Sequence, residues 1–388
     1  MKRIAIFLLF VLVLAACAPT PTATPVPPPA TRVPPTATAV PPTATATAVP
    51  PTATVVPPTA TATRPASTAT TVASSASSAS GNCVTANTLE DFIVCVMAKM
   101  PRRDTQGFVV PSDAVLNDWK QVASQMLAGK CSDIALPASL KNVYTVNAFT
   151  DKQNGNTYCV AFEVLDENNN NFIDRGWGTF IVNPKATREL SIQAPHPLAD
   201  TDTDKEAIGV FKGTNARTYS LAGSHRDANT QRSTCSNVTE GEADASHNVT
   251  NLFQATSEAL FNYYGASKTD WVTIQWHGMA ATTCPNVDAF FSYGVQLAPK
   301  PGDKTLELRD NMQKRQSGLK LTVFGEQPSC NLYATENVTG RLLNGVTANQ
   351  VCALPASSYS GKFIHIEQKI AVRALVADWV AAINETWK

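Results

Sequence analysis

The sequence predicts an α/β protein, in which a mostly parallel sheet carries helices on both faces and a small α+β region precedes it. Three observations predict it. Roughly 300 residues follow Asn82, enough to bury a sizeable core. From Leu190 onward, strand-like runs alternate with stretches of helical spacing, which is how crossover connections between parallel strands read. Before Leu190, two helical stretches are followed by strand-like runs without such alternation.

The start of the chain stands apart from that fold. Lys2 and Arg3 precede an apolar run of thirteen residues, Ile4 to Ala16. A bilayer span takes about 20 residues, so the run suits the core of an export signal instead. It ends Leu14-Ala15-Ala16-Cys17, which resembles the bacterial lipobox. Residues 1–16 are therefore expected to be a signal peptide, with Cys17 acylated as the first residue of the mature chain. No other segment is apolar for long enough to cross a membrane, so the acyl group is the one expected membrane contact and the cell surface the expected location.

Residues 17–80 are expected to form a tether. They hold fifteen prolines, and PPTAT recurs from Pro34, Pro41, Pro50 and Pro57. There is no aromatic residue, and Arg32 and Arg64 are the only charges. Such a segment cannot bury enough apolar surface to offset chain entropy. Proline fixes φ, so the repeats read as a stiff, polyproline-like spacer of about 3.1 Å per residue.

The remainder divides into residues 81–187, the α+β region, and residues 188–388, the α/β part. Four basic residues and no acidic ones lie before Asn82, leaving 27 basic against 31 acidic residues in the folded part. That balance argues against nucleic acid as a partner. Beyond Cys17 there are eight cysteines, Cys83, Cys95, Cys131, Cys159, Cys235, Cys284, Cys330 and Cys352, with no CxxC pair. An even number in an exported chain reads as disulfides rather than as a zinc ribbon.

In chain order, residues 87–100 and 112–129 have helical spacing, with Leu89, Phe92, Ile93 and Val94 in the first and Val115, Leu116, Trp119, Val122 and Met126 in the second. Strand-like runs follow at Val143–Phe149, Tyr158–Leu165 and Gly178–Val182. Between the last two, Asp166, Asn168, Asn170 and Asp174 match positions 1, 3, 5 and 9 of a calcium loop, but Trp177 stands where the closing acid belongs. Either a Ca²⁺ site or an Asn-rich turn fits. Later strands are expected at Leu190–Gln193, Thr218–Ala222, Trp271–Trp276, Leu319–Phe324 and Lys362–Glu367, and helices over 204–212, 248–264, 305–316 and 369–386.

The chain has five histidines, and four of them, His196, His225, His277 and His365, close or lie in the late strand runs. In a parallel sheet the carboxyl ends of the strands gather ligands. Acids accompany them: Asp200, Asp202, Asp204 and Glu206 follow His196 on the way into a helix. Two histidines and a carboxylate are the usual protein ligands of a catalytic zinc. The alternative for the acids is helix capping. Asp244 and His247, just before a helix, read as caps or as a side wall of the site.

Ala194-Pro195-His196, Ser224-His225-Arg226, Trp276-His277-Gly278 and Ile364-His365-Ile366-Glu367, followed by Arg373, form an ordered set. The set resembles the zinc amidohydrolases related to phage poly-γ-glutamate hydrolase and to N-formylglutamate amidohydrolase, which are similar in fold to zinc carboxypeptidases. The resemblance covers about residues 188–388. It implies one Zn²⁺ held by His196, His277 and a carboxylate shortly after His196, with Glu367 as general base. In place of the family's Gly-rich stretch and Glu, this chain has Asp200 and Asp202; Asp200 is the expected third ligand, with Asp202 and Glu206 behind it. His225, Arg226 and Arg373 are expected to serve the substrate carboxylate or the oxyanion.

Two functions follow as expectations. One is a zinc-dependent amide hydrolase acting outside the cell on a carboxylate-bearing peptide, N-acyl amino acid or γ-glutamyl substrate. The other is a surface-tethered binding lipoprotein without turnover. If the strands ending in His225 and His277 converge on one metal, their loops are neighbours, which predicts Cys235–Cys284. Cys330–Cys352, Cys83–Cys95 and Cys131–Cys159 complete the expected pairing.

Overall fold

The computed structural model describes residues 77–78, 80–235, 240–265 and 270–388. The signal peptide, Cys17 and residues 18–76 of the expected tether lie outside the described residues, whereas its end does not stay apart from the fold: Ser77–Ser78 pair with Leu165–Asp166, and Ser80 is buried. Among the described residues, eleven strands and eight α-helices are formed. The strands are β1 (Ser77–Ser78), β2 (Tyr144–Thr150), β3 (Thr157–Glu163), β4 (Leu165–Asp166), β5 (Thr179–Val182), β6 (Arg188–Ala194), β7 (Ala216–Leu221), β8 (Val272–Gly278), β9 (Ala289–Ser292), β10 (Leu321–Val323) and β11 (Phe363–Gln368). The helices are α1 (Leu89–Ala98), α2 (Asp113–Leu127), α3 (Thr203–Gly213), α4 (Leu252–Tyr264), α5 (Lys304–Arg315), α6 (Val338–Leu343), α7 (Ile370–Arg373) and α8 (Val376–Thr386).

Nine strands make one sheet in the order β10-β9-β11-β8-β6-β7-β5-β3-β2, while β1 and β4 pair separately. The four central strands, β11, β8, β6 and β7, run parallel. On one side β9 turns antiparallel to β11 and carries β10 parallel to itself. On the other, β5, β3 and β2 continue the sheet antiparallel. The fold is α/β, but the sheet is mixed, with four parallel and four antiparallel contacts, where a mostly parallel one was expected. The reason is that neither the connection 151–156 between β2 and β3 nor the stretch 164–178 between β3 and β5 carries a helix, so neither supplies the crossover that a parallel pair needs. The boundary expected at 187/188 falls between β5 and β6, and β5 pairs with β7, so both stretches build the same sheet.

Helices cover both faces. Helices α1, α3, α5 and α8 share one layer, and α2 and α4 pack together on the other, with α6 against α4. The first core includes Phe92, Phe162, Phe211, Tyr219, Trp276 and Trp379; the second centres on Trp119, Tyr144, Phe180, Leu260 and Trp271. Trp276 of β8 meets Trp379 of α8 edge to face at 5.0 Å. Burial of such side chains is worth roughly 1.5–3 kcal/mol each. Side chains of Thr88, Ser112, Asn251 and Asn337 cap α1, α2, α4 and α6 by accepting a backbone N–H three residues on.

Most elements lie where the periodicity put them. The exceptions are β1, β9 and α6, which were not expected, and the stretch 369–386, which divides into α7 and α8. None of the helices among the described residues is long and apolar enough to cross a membrane.

Cys83–Cys95 and Cys131–Cys159 form as expected. The other two do not: the bonds are Cys235–Cys352 and Cys284–Cys330, in place of Cys235–Cys284 and Cys330–Cys352. The loops after β7 and β8 diverge. Cys235 packs with Val338, Leu342 and Val351, whereas Cys284 packs with Val287, Phe290 and Cys330.

In the loop expected to bind calcium, the oxygens are engaged by the loop itself. Asp166 accepts the N–H groups of Asn170 and Asn171, Asn170 accepts that of Phe172, and Asp174 accepts from Glu167 and from the Asn168 amide. Trp177, at the closing position, is buried and donates its indole N–H to Val109. The arrangement is a series of Asx turns.

Candidate metal centre and active-site cleft

The parallel strands bring their carboxyl ends to one edge, and the chemistry-bearing residues collect there. His196 lies two residues past β6, His277 near the end of β8, and His365 and Glu367 on β11. Register places Glu367 beside His277 and His365 beside Gln275. Side chains alternate along a strand, so His277 and Glu367 project from the same face of the sheet.

His196, Asp200 and His277 each offer a ligand atom, and these lie within 4.8 Å of one another. Asp200 Oδ2 is 3.4 Å from His196 Nδ1 and 3.6 Å from His277 Nδ1. Those separations are long for hydrogen bonds but close to the edge of a tetrahedron with bonds of about 2.0–2.1 Å. His196 Nδ1 is buried and has no hydrogen-bond partner. Two imidazole nitrogens and one carboxylate oxygen, all buried, fit a divalent zinc-type ion.

Each imidazole is oriented from behind. His196 Nε2 donates to Asp244 Oδ1 at 2.9 Å, and His277 Nε2 to Gln275 Oε1 at 3.3 Å. Both Nδ1 atoms are thereby directed at Asp200. Gln275 is in turn fixed by donating to Gln193 and accepting from Asn337. Burial lowers the His277 pKa to about 4, with the neighbouring His365 adding to the effect, so His277 is a neutral donor at physiological pH. For His196 burial acts downward, but Asp244 outweighs it and lifts the pKa to about 9; this position attracts positive charge. Burial acts upward on Asp200, but the His196 and His277 imidazoles beside it outweigh that and keep the carboxylate ionised.

Burial would also raise Glu367, yet His365 and His277 outweigh it and hold its pKa below the ordinary value. His365 Nε2 lies 3.4 Å from Glu367 Oε1, and the His365 ring centroid is 4.4 Å from that of His277. Glu367 is therefore an ionised, half-buried carboxylate beside the candidate ligands, the form a general base needs.

Asp244 is more than a cap. The cap of α4 is Asn251, while Asp244 takes His196, His247 (Nδ1 at 3.0 Å) and Arg226 (Nη2 at 2.5 Å). Asp202 is half-exposed and paired with Lys205. Glu206 is buried beneath the sheet and accepts from Gln368. Asp204 is buried, which raises its pKa, and lies away from the histidines. Of the four acids that follow His196, Asp200 is the one that joins histidines, His196 with His277, while Asp244 joins His196 with His247.

Two expected residues face elsewhere. Arg373 gives its guanidinium to the carbonyls of Thr201, Met279 and Gln368 and is a buried clamp, not a substrate group. His225 does not line the cleft: its N–H bonds Pro101 O, and its Nδ1 accepts from Asp227 N. The cause is the tight passage at Gly223, where a Cβ would come within 2.1 Å of Gly178 N, which pulls the end of β7 toward the antiparallel side. Arg226, one residue on, does reach the cleft.

The cleft over this centre has a volume of about 310 Å³. Its far wall is the loop 331–337, which the sequence reading passed over because it carries no histidine and no strand signal. Gln275 was missed for a similar reason, being one polar residue in an apolar strand.

The fold and the cluster define an α/β protein whose parallel strands carry, at their carboxyl edge, a histidine–carboxylate cluster able to hold a metal ion. No family model and no curated protein matches the sequence. Among solved structures, the chain is similar to the Atu2144 gene product of Agrobacterium tumefaciens, with 12% identity and a TM-score of 0.30 over 52% of this chain and 88% of that one. It is also similar to a metallo-carboxypeptidase from Burkholderia cenocepacia, with 8% identity and a TM-score of 0.29 over 68% of this chain and 66% of that one. At those values the likenesses transfer no chemistry to this chain.

Proposed function

We propose that this protein is a zinc-dependent amide hydrolase acting on a carboxylate-bearing peptide, N-acyl amino acid or γ-glutamyl substrate. One observation carries the reading: His196, Asp200 and His277 converge with an ionised Glu367 in a single cleft. A zinc ion held by those three residues would supply Lewis acidity toward the scissile carbonyl and lower the pKa of a water. Glu367 accepts the water proton and delivers it to the leaving amine, since it is the ionised carboxylate that stands beside His277 without belonging to the ligand set. Arg226 keeps guanidinium N–H groups beyond the one given to Asp244, and these suit a substrate carboxylate or a developing oxyanion. Asp244 and Gln275 hold the two imidazoles in the required tautomer.

The same proposal locates the protein outside the cytoplasm, held at the cell surface through acylated Cys17. Four disulfides among the described residues support an oxidising compartment. The test is metal analysis of the purified protein combined with a screen of γ-glutamyl, peptide and N-acyl amino-acid amides. One zinc per chain and chelator-sensitive cleavage are expected. Stoichiometric zinc with no cleavage across the panel would replace the hydrolase by a binding protein.

A further inference from the structure

Resting on that reading, we propose that Glu336 determines specificity by receiving a free ammonium group of the substrate. The cleft then selects amides whose amino-acid unit keeps both an ammonium and a carboxylate, such as γ-glutamyl compounds, over N-acyl amino acids, which have no ammonium.

The cleft's volume, about 310 Å³, suits one or two amino-acid units. Its other charged groups each have a protein partner, although Arg226 keeps further N–H groups beyond the one given to Asp244. Arg226 and His247 pair with Asp244, Glu367 faces His365, and Asp200 lies between His196 and His277. Glu336 lines the same cleft and, among the described residues, has no hydrogen-bond or ion-pair partner. Arg341 senses its charge, but the Arg341 guanidinium is spent on the carbonyls of Thr335, Val351 and Cys352.

The loop that presents Glu336 is held on both sides. Cys330 is bonded to Cys284 just before it, and Tyr333 packs on Phe290 and Phe324 while its carbonyl accepts from Ser292. Immediately after Glu336, Asn337 caps α6 and donates to Gln275, the residue that orients His277. A carboxylate without a protein partner, on a backbone fixed to the metal centre, is preorganised for a cation supplied by the ligand. Arg226 and His247 give the cleft a basic side for the carboxylate, so the lining complements a zwitterion.

The experiment measures binding and turnover separately on the zinc-loaded full chain. Calorimetry compares glutamate with N-acetylglutamate; kinetics compare γ-glutamyl anilide with its N-acetyl derivative. A charge-assisted contact corresponds to roughly 10- to 100-fold in affinity, so wild type should prefer glutamate by that factor. Glu336→Gln should erase the preference, raise KM for the free-amine anilide with kcat nearly unchanged, and leave zinc content and N-acetylglutamate binding as they were. Glu336→Asp should restore part of the preference. Equal binding of the two ligands by wild type, or a preference that survives in Glu336→Gln, overturns the inference. If neither anilide is cleaved but the Glu336-dependent preference for glutamate remains, the hydrolase reading falls and the ammonium site stands.

Discussion

Two carboxylates, one half-buried and one buried, in opposite halves of the sheet, show how strand direction decides chemistry. Glu367 ends a parallel strand, and Glu163 ends β3 in the antiparallel half. Burial pushes Glu163 up to about 7, although it accepts the backbone N–H groups of Arg175 and Trp177 and feels the Arg175 charge. Burial pushes Glu367 the same way, but the histidines beside it win and keep it ionised. In β11, β8, β6 and β7 all carboxyl ends share an edge, so several distant stretches of sequence can gather there. In β5, β3 and β2 neighbouring ends alternate, so a buried acid meets backbone instead. The parallel edge makes a site; the antiparallel half makes a wall.

The sharpest way to break this comparison is at the ligands. His196→Ala and His277→Ala should each abolish stoichiometric zinc and all hydrolysis, as read by metal analysis and the amidase screen. Retention of zinc by both variants would remove the metal centre from the parallel edge.

Next in size is Glu367→Gln. It should keep zinc and the fold, because the change is nearly isosteric, yet slow hydrolysis by about 10²–10⁴-fold. If the variant instead loses the metal, Glu367 is a ligand and not the base.

Glu163→Gln tests the other half through pH. The folded pKa of about 7 lies above the ordinary 4.5, so the folded state holds the proton more tightly than the unfolded chain. The resulting stabilisation is complete below about pH 4.5 and is lost as the pH rises through about 7. Its full extent is on the order of 3 kcal/mol. Denaturant titrations of wild type should show this decline, and Glu163→Gln should flatten it without altering zinc content. An unchanged slope would mean that other groups titrate in that window.

The smallest expected effect is that of Asp244→Asn. An amide can still meet the His196 N–H but no longer holds Arg226 and His247 by charge. Zinc affinity should fall by about 10–100-fold, measured by competition with a chelator. A change below twofold would return Asp244 to a structural role in its loop.

The sequence by itself determined the α/β class, most helices and strands, two of the four disulfides, and the strand-end positions of His196, His277 and Glu367. These are local matters: periodicity and apolar runs record which face is buried, and a residue's place at the end of a run is visible in the run. The tertiary structure decided the rest. Strand direction is not written in a strand's composition, so the mixed sheet was legible only once the pairing was seen. Cys235 reaches Cys352 across 117 residues because the loops after β7 and β8 diverge. His225 carries the same strand-end pattern as His277 but is turned aside at Gly223, whose close approach to Gly178 no sequence window contains. Asp244 finds His196 from 48 residues away, and Glu336 reaches the cleft on a loop with no histidine to mark it. A side chain's type states what it can do; which groups it meets depends on contacts between distant segments, and those arise only when the core closes.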